Sequence, residues 1–292
     1  MTGVFSGSIT AMITPFKDGK VNLHTLGKLI DYQIEGGTDA LVMLGTTGEP
    51  STMTEAEKEI TVRYSLKRAA KKIKIIVGVG SNDTSKAVCA ARGAEKLGAD
   101  GILAVTPYYN KCTQRGIFEY YRAICEATNL PVIAYNVPAR TGVNIAPETA
   151  ERLTELANLT GIKEAGGNMA QVCETARRVR GKIDIFSGED ALNLPILAIG
   201  GAGVISVVSN IVPRKVKEVY TLVKEGKLDR ANKLQDSLLP LIDACFIEVN
   251  PIPVKAAYNM LGFDVGIPRL PLTELEEEHK VELAKVLEKA VK

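Results

Sequence analysis

Apolar and β-branched residues gather in short runs along the chain, at 8–13 (SITAMI), 39–44 (DALVML), 73–79 (IKIIVGV), 100–105 (DGILAV), 131–135 (PVIAY), 159–163 (LTGIK), 183–187 (IDIFS) and 202–207 (AGVISV). Within each run the apolar positions are nearly continuous rather than alternating, the pattern of a strand covered on both faces. Between the runs lie segments with helical spacing: 22–37, 52–72, 84–98, 114–128, 146–156, 168–179, 190–200 and 213–226. The second of these opens with Thr54 and Glu57 three residues apart, the spacing of a capping box.

This alternation predicts a parallel sheet with helices on its outer side, and a closed (β/α)8 TIM barrel over 1–226 is the economical arrangement. An open, doubly wound sheet is also compatible, because strand order cannot be read from the pattern. The remainder, 227–292, carries three more helical segments at 228–246, 251–261 and 272–291. With no Gly/Ser-rich or charged linker before them, they are expected to pack on the barrel as a C-terminal helical extension.

Composition narrows the partners. Lys and Arg total 36 against 34 Asp and Glu, a net charge of +2 spread along the chain. No basic cluster suits a nucleic acid or an anionic membrane surface. Five cysteines without a CxxC pair suggest neither a disulfide framework nor a zinc knuckle. The N-terminus lacks a basic segment followed by an apolar one, and no apolar run reaches the ~20 residues of a membrane span. A cytoplasmic enzyme or binding protein acting on a small molecule is expected.

In a barrel, chemistry sits at the C-terminal strand ends and the loops after them. Those ends read LGTTGE (44–49), TPYYN (106–110), YNVPARTG (135–142), SGED (187–190) and SVVSN (206–210), and the sixth strand carries Lys163 itself. Alternation along that strand sends Lys163 and Glu164 to opposite sides, so Glu164 is not its simple counter-ion. A buried lysine can be structural, paired elsewhere or reaching out to solvent. It can also act as a nucleophile: a neutral amine adds to a carbonyl and forms a Schiff base. Tyr109 and Tyr135 are candidate proton shuttles for such a step, with Thr47 able to link them. The glycine-flanked threonine turn can present adjacent backbone N–H groups to an anion.

Absences matter as well. His24 and His279, the only histidines, lie far from these strand ends, against a histidine triad or a His-ligated metal. Neither GxxxxGK[ST] nor GxGxxG occurs, which removes support for a nucleotide site.

GTTGE at 45–49, TPYYNK at 106–111, YNVPARTG at 135–142, GIKEA at 161–165 and NPIPVK at 250–255 follow one another in this order. Together they resemble the dihydrodipicolinate synthase family of the N-acetylneuraminate lyase superfamily, over nearly the whole chain. The resemblance implies a homotetramer, a dimer of dimers, that condenses pyruvate with L-aspartate 4-semialdehyde on the diaminopimelate route to lysine, with no metal or organic cofactor. It assigns the Schiff base to Lys163 and proton transfer to Tyr135, joined through Thr47 to Tyr109 of a neighbouring subunit. The amides of Thr46 and Thr47 would hold pyruvate's carboxylate. The backbone at Gly188 and Ile205 would line the pocket, and Arg140 would bind the carboxylate of the semialdehyde.

N-acetylneuraminate lyases and 2-keto-3-deoxy sugar acid aldolases share the lysine, the tyrosine and the turn, and are the alternative. Arg140 favours the first assignment, because it suits a second carboxylate where a sugar needs hydroxyl partners. A catalytically silent keto-acid sensor is a third reading, opposed by the presence of every relay residue. Departures from the family pattern are Pro50, Cys112 and Ala139, none of them a reacting group; an inert thiol is expected at Cys112. Asn82 and Tyr108 match a lysine-inhibition site between subunits. Lys86, however, stands where inhibitable members carry a glutamate, and Lys58 stands near a position often held by histidine. The resemblance therefore implies little or no inhibition by lysine.

Overall fold

A computed structural model describes residues 2–291; Met1 and Lys292, which end the two expected segments, lie outside the described residues. All eight apolar runs form strands: β1 (Gly7–Ala11), β2 (Ala40–Met43), β3 (Lys74–Gly78), β4 (Gly101–Val105), β5 (Val132–Asn136), β6 (Leu159–Glu164), β7 (Asp184–Ser187) and β8 (Gly203–Ser206). They join in sequence order, and β8 returns to β1, so the sheet is a closed barrel and the open-sheet alternative falls away. Every residue of β1, β2, β5, β6 and β8 is buried, and apolar residues accordingly stand on both faces of β2, β5, β6 and β8, whereas β1 alternates, with Ser8 and Thr10 on one face.

The helices between them are α1 (Leu23–Glu35), α2 (Glu55–Ala69), α3 (Thr84–Leu97), α4 (Gln114–Glu126), α5 (Pro147–Leu153), α6 (Met169–Val179), α7 (Asn193–Ala198) and α8 (Pro213–Lys224). Their starts are set by side chains that accept orphan N–H groups: Asn22, Asp83, Thr113 and Asn168 each cap one helix. The capping box at Thr54 is complete. Thr54 Oγ1 accepts from Glu57 N at 3.2 Å, and Glu57 Oε2 accepts from Thr54 N at 2.9 Å.

Two compact units make up the chain, one of residues 2–6 and Ile76–Ile205, the other of Gly7–Ile75 and 206–291. The first holds β4 to β7 with α3 to α7. Parallel pairing there sets Tyr135 opposite Lys163 and Asn136 opposite Glu164, and on the far side Lys163 opposite Phe186. The second holds β1, β2, α1, α2 and α8, together with a two-stranded ribbon, Phe16–Lys17 against Lys20–Val21.

Three further helices belong to this second unit: α9 (Leu228–Cys245), which runs through Pro240, α10 (Ile252–Met260) and α11 (Glu277–Val291). α9 packs against α8, α10 and α11. α11 begins five residues later than its apolar spacing predicts. The Glu248 carboxylate accepts from Glu276 N at 2.9 Å and fixes the start there, while Lys280 N donates to Glu276 O at 2.9 Å as the first bond of the helix.

Candidate active site

The first unit carries Lys163, Tyr135, Tyr109, Arg140, Gly188 and Ile205; Thr46 and Thr47 belong to the second. Lys163 is 4% exposed, in a strand whose six residues are all buried. Because Tyr135 is its register partner, the two side chains share a face, and the Lys163 amine lies 4.2 Å from the centre of the Tyr135 ring. Among the described residues no carboxylate stands within ion-pair distance of this amine, and no hydrogen bond holds it. Packing alone gives no reason for a buried amine with neither a counter-ion nor a hydrogen bond, since such a polar group costs stability.

Space for the lysine is kept by Gly188. A Cβ at that position would stand 2.7 Å from Lys163 Cε and 2.9 Å from the Glu164 carbonyl oxygen, so no larger residue fits. The Gly188 amide donates to that same carbonyl at 2.6 Å. Ile205 is fully buried on β8. The Tyr135 hydroxyl makes no hydrogen bond to the described residues and is available to a ligand.

Tyr109 is brought to none of these residues. It is 89% exposed, on a turn where its own φ of +73° is left-handed. Arg140 is also exposed, on a one-turn helix, Pro138–Thr141, that follows β5. Cys112 is half-buried and burial pushes its thiol up, as expected of an inert group.

In the second unit, GTTGE forms a single helical turn at Thr46–Gly48, bracketed by two left-handed non-glycine residues, Leu44 (φ +58°) and Glu49 (φ +56°). Such conformations cost energy and persist only where surroundings enforce them. Gly48 N donates to Gly45 O at 2.8 Å and Glu49 N to Thr46 O at 3.2 Å. Thr46 and Thr47, the first residues of the turn, have amides with no acceptor inside it. Thr14 Oγ1 donates to Gly48 O at 2.7 Å, and a Cβ on Gly48 would meet the Met12 carbonyl at 3.2 Å. Thr47 is buried, and its hydroxyl oxygen accepts from Asn250 Nδ2 at 3.0 Å, which leaves its proton to be donated elsewhere.

What enforces the turn is Glu49. Its carboxylate meets Lys255 Nζ at 2.8 Å and accepts from Arg269 N at 2.9 Å; the Glu49 and Lys255 side chains are 2% and 1% exposed. Burial pushes the Lys255 amine down, against the pull of Glu49. The Lys255 amine also donates to Ile267 O at 3.2 Å and lies 4.3 Å from the Phe16 ring centre. Arg269 then binds Glu57 at 2.9 Å, and that bond holds the Glu57 carboxyl down at about 2.

Asn250, Lys255 and Glu49 were legible only as letters of NPIPVK and GTTGE, since a pair 206 positions apart leaves no local signal. Glu164 is the other addition. It is 1% exposed, its Oε2 accepts from Asn136 Nδ2 at 3.0 Å, and burial pushes its carboxyl up to about 7. A folded-state value above the ordinary 4.5 means that ionisation opposes folding, so this cost is absent below about pH 4.5 and grows as pH rises through 7. Glu164→Gln should therefore gain about 3 kcal/mol relative to the parent between pH 5 and pH 8. Urea titrations at the two pH values measure it, and an unchanged difference contradicts it.

Residues 4–290 match the model of the dihydrodipicolinate synthetase family. The chain is 50% identical over 285 residues to a 4-hydroxy-tetrahydrodipicolinate synthase of Caldicellulosiruptor bescii, covering 97% of this chain and 96% of the relative. It is 47% identical over 285 residues to one of Clostridium novyi, covering 98% and 96%. The solved dihydrodipicolinate synthase of Thermotoga maritima superposes with a TM-score of 0.97 at 44% identity, over 99% of each chain. With a family match across nearly its whole length, and a lysine on the sixth strand of a closed barrel, the chain belongs to the dihydrodipicolinate synthetase family.

Proposed function

We propose that this chain has 4-hydroxy-tetrahydrodipicolinate synthase activity, condensing pyruvate with L-aspartate 4-semialdehyde in the diaminopimelate route to lysine. The buried, unpaired amine of Lys163 over the Tyr135 ring carries the reading. Lys163 Nζ adds to the ketone carbon of pyruvate, water leaves, and an imine forms. Loss of a methyl proton gives an enamine, whose terminal carbon attacks the aldehyde carbon of the second substrate. Attack of that substrate's own amine on the imine carbon then frees Lys163 and closes a ring.

In this reading Tyr135 moves the protons and Thr47 links it to Tyr109, which a neighbouring subunit of a homotetramer, a dimer of dimers, supplies. An 89% exposed tyrosine held at φ +73° supports a role outside its own chain. The Thr46 and Thr47 amides hold pyruvate's carboxylate, the backbone at Gly188 and Ile205 lines the pocket, and Arg140 receives the semialdehyde's carboxylate as a bidentate partner. No metal or organic cofactor enters these steps. Among the described residues no helix is long and apolar enough to cross a membrane, and we place the enzyme in the cytoplasm.

The test is turnover of pyruvate with aspartate semialdehyde beside N-acetylmannosamine and a small sugar aldehyde. A strong preference for the semialdehyde is expected; preference for either sugar overturns the assignment. Lysine added to the same assay should leave the rate unchanged in this reading: Lys86, exposed on α3, stands where inhibitable family members carry a glutamate, and its ammonium would repel the inhibitor's own. Inhibition at submillimolar lysine contradicts this.

A further inference from the structure

Glu164 shares no bond with the Schiff-base lysine beside it, and it takes no part in the proposed reaction steps. Its carboxylate meets Asn136, the residue directly after Tyr135, at 3.0 Å, and the other oxygen, Oε1, has no partner among the described residues. Asn136 Nδ2 also donates to Asn144 Oδ1 at 2.9 Å, and Asn136 Oδ1 accepts from Ile145 N at 3.0 Å. From Asn144 the network continues: its Nδ2 donates to Gln171 Oε1 at 2.7 Å, and its carbonyl accepts from Gln114 Nε2 at 2.7 Å.

Between the two pinned points, 136 and 144, runs the segment 137–143 with Arg140 on its single helical turn. The segment is closed upon itself by Thr141 Oγ1, which donates to Val143 O at 2.9 Å. It is also set against the bend that follows β6: a Cβ on Gly166 would lie 3.7 Å from Pro138 Cδ and 3.9 Å from Glu164 Oε2. The loop that carries the guanidinium is thus tied at both ends to one buried carboxylate through one asparagine.

We infer that Glu164 is a positioning residue: through Asn136 and Asn144 it holds the Pro138–Thr141 turn so that Arg140 selects a second substrate bearing a carboxylate. This rests on the reading of Arg140 given above and deepens it. An arginine fork recognises a planar carboxylate only when both N–H bonds align, so a loosened loop weakens this contact more than it weakens binding of an uncharged aldehyde.

The experiment compares the parent with Glu164→Ala, Asn144→Ala and Glu164→Gln. Each is assayed for KM toward aspartate semialdehyde, KM toward an uncharged aldehyde, and borohydride trapping of pyruvate. In both alanine variants the KM for the semialdehyde should rise on the order of tenfold, with trapping and the KM for the uncharged aldehyde near parent values. Glu164→Gln keeps an acceptor oxygen for Asn136 and should stay near the parent. Asn144 is only half-buried, so its variant is expected to fold and to test the inference where Glu164→Ala does not fold. Equal losses for both aldehydes in the Asn144 variant, or no loss at all, overturn the inference. A glutamine variant as weak as the alanine one also overturns it. Failure of the parent to trap pyruvate would instead sink the proposed function, and failure of the parent to prefer a carboxylated aldehyde would sink the role of Arg140.

Discussion

Lys163→Met is expected to abolish borohydride trapping of pyruvate and to leave a protein at least as stable as the parent. Loss of the nucleophile in other covalent mechanisms costs up to about 10^6 in kcat, and a fall of at least about 10^3 is expected here. The stability half of the prediction is the more discriminating. Lys163 is 4% exposed and no carboxylate or hydrogen bond compensates it among the described residues. A methionine fills similar volume without a charge to desolvate, so a gain of about 0.5–2 kcal/mol is in range. Intact-mass measurement after borohydride treatment reads the first effect and thermal denaturation the second. A trapped adduct in the variant would place the imine on another amine. A clear drop in melting temperature would mean that Lys163 serves the fold.

Lys255→Met should have the opposite signature. It removes the ammonium that neutralises Glu49 at 2.8 Å, where both side chains are nearly inaccessible. Breaking one partner out of a buried pair costs about 3–5 kcal/mol, because the remaining charge is left uncompensated. For a chain of this size that corresponds to a fall on the order of 10 °C in melting temperature. Replacing both partners, as Glu49→Gln with Lys255→Met, should recover at least half of the loss, since a neutral pair has no charge to bury. A double variant as unstable as the single one would show that shape, rather than charge, holds the GTTGE turn. Chemical denaturation of the two single variants and the double variant measures the coupling directly.

Elements built from local pattern were legible in the sequence. All eight strands coincide with their apolar runs to within two residues at either end, because both faces of a barrel strand are covered and the run stays nearly continuous. Thr54 and Glu57 give a capping box whose two bonds are both present. Boundaries set by distant groups were not legible: α11 starts where Glu248 caps Glu276, 28 positions away. At the candidate site, the opposite facing of Lys163 and Glu164 followed from alternation alone. The partners of Glu164, Thr47 and Glu49 did not, since each is fixed by a side chain from a separate stretch of chain. Arg140 and Tyr109 were named from motifs, and their exposure could be known only from the fold.

The missing counter-ion of Lys163 bears on how such a chain can change over generations. Selection for a stable fold alone favours almost any apolar residue at 163, whereas Lys255 is retained by the fold whatever the protein does. Should a duplicated copy of this chain lose its reaction, drift would erase Lys163 early and Lys255 late. In the proposed reading of Lys163, the presence of both in one sequence is what a lineage that has kept its reaction would show.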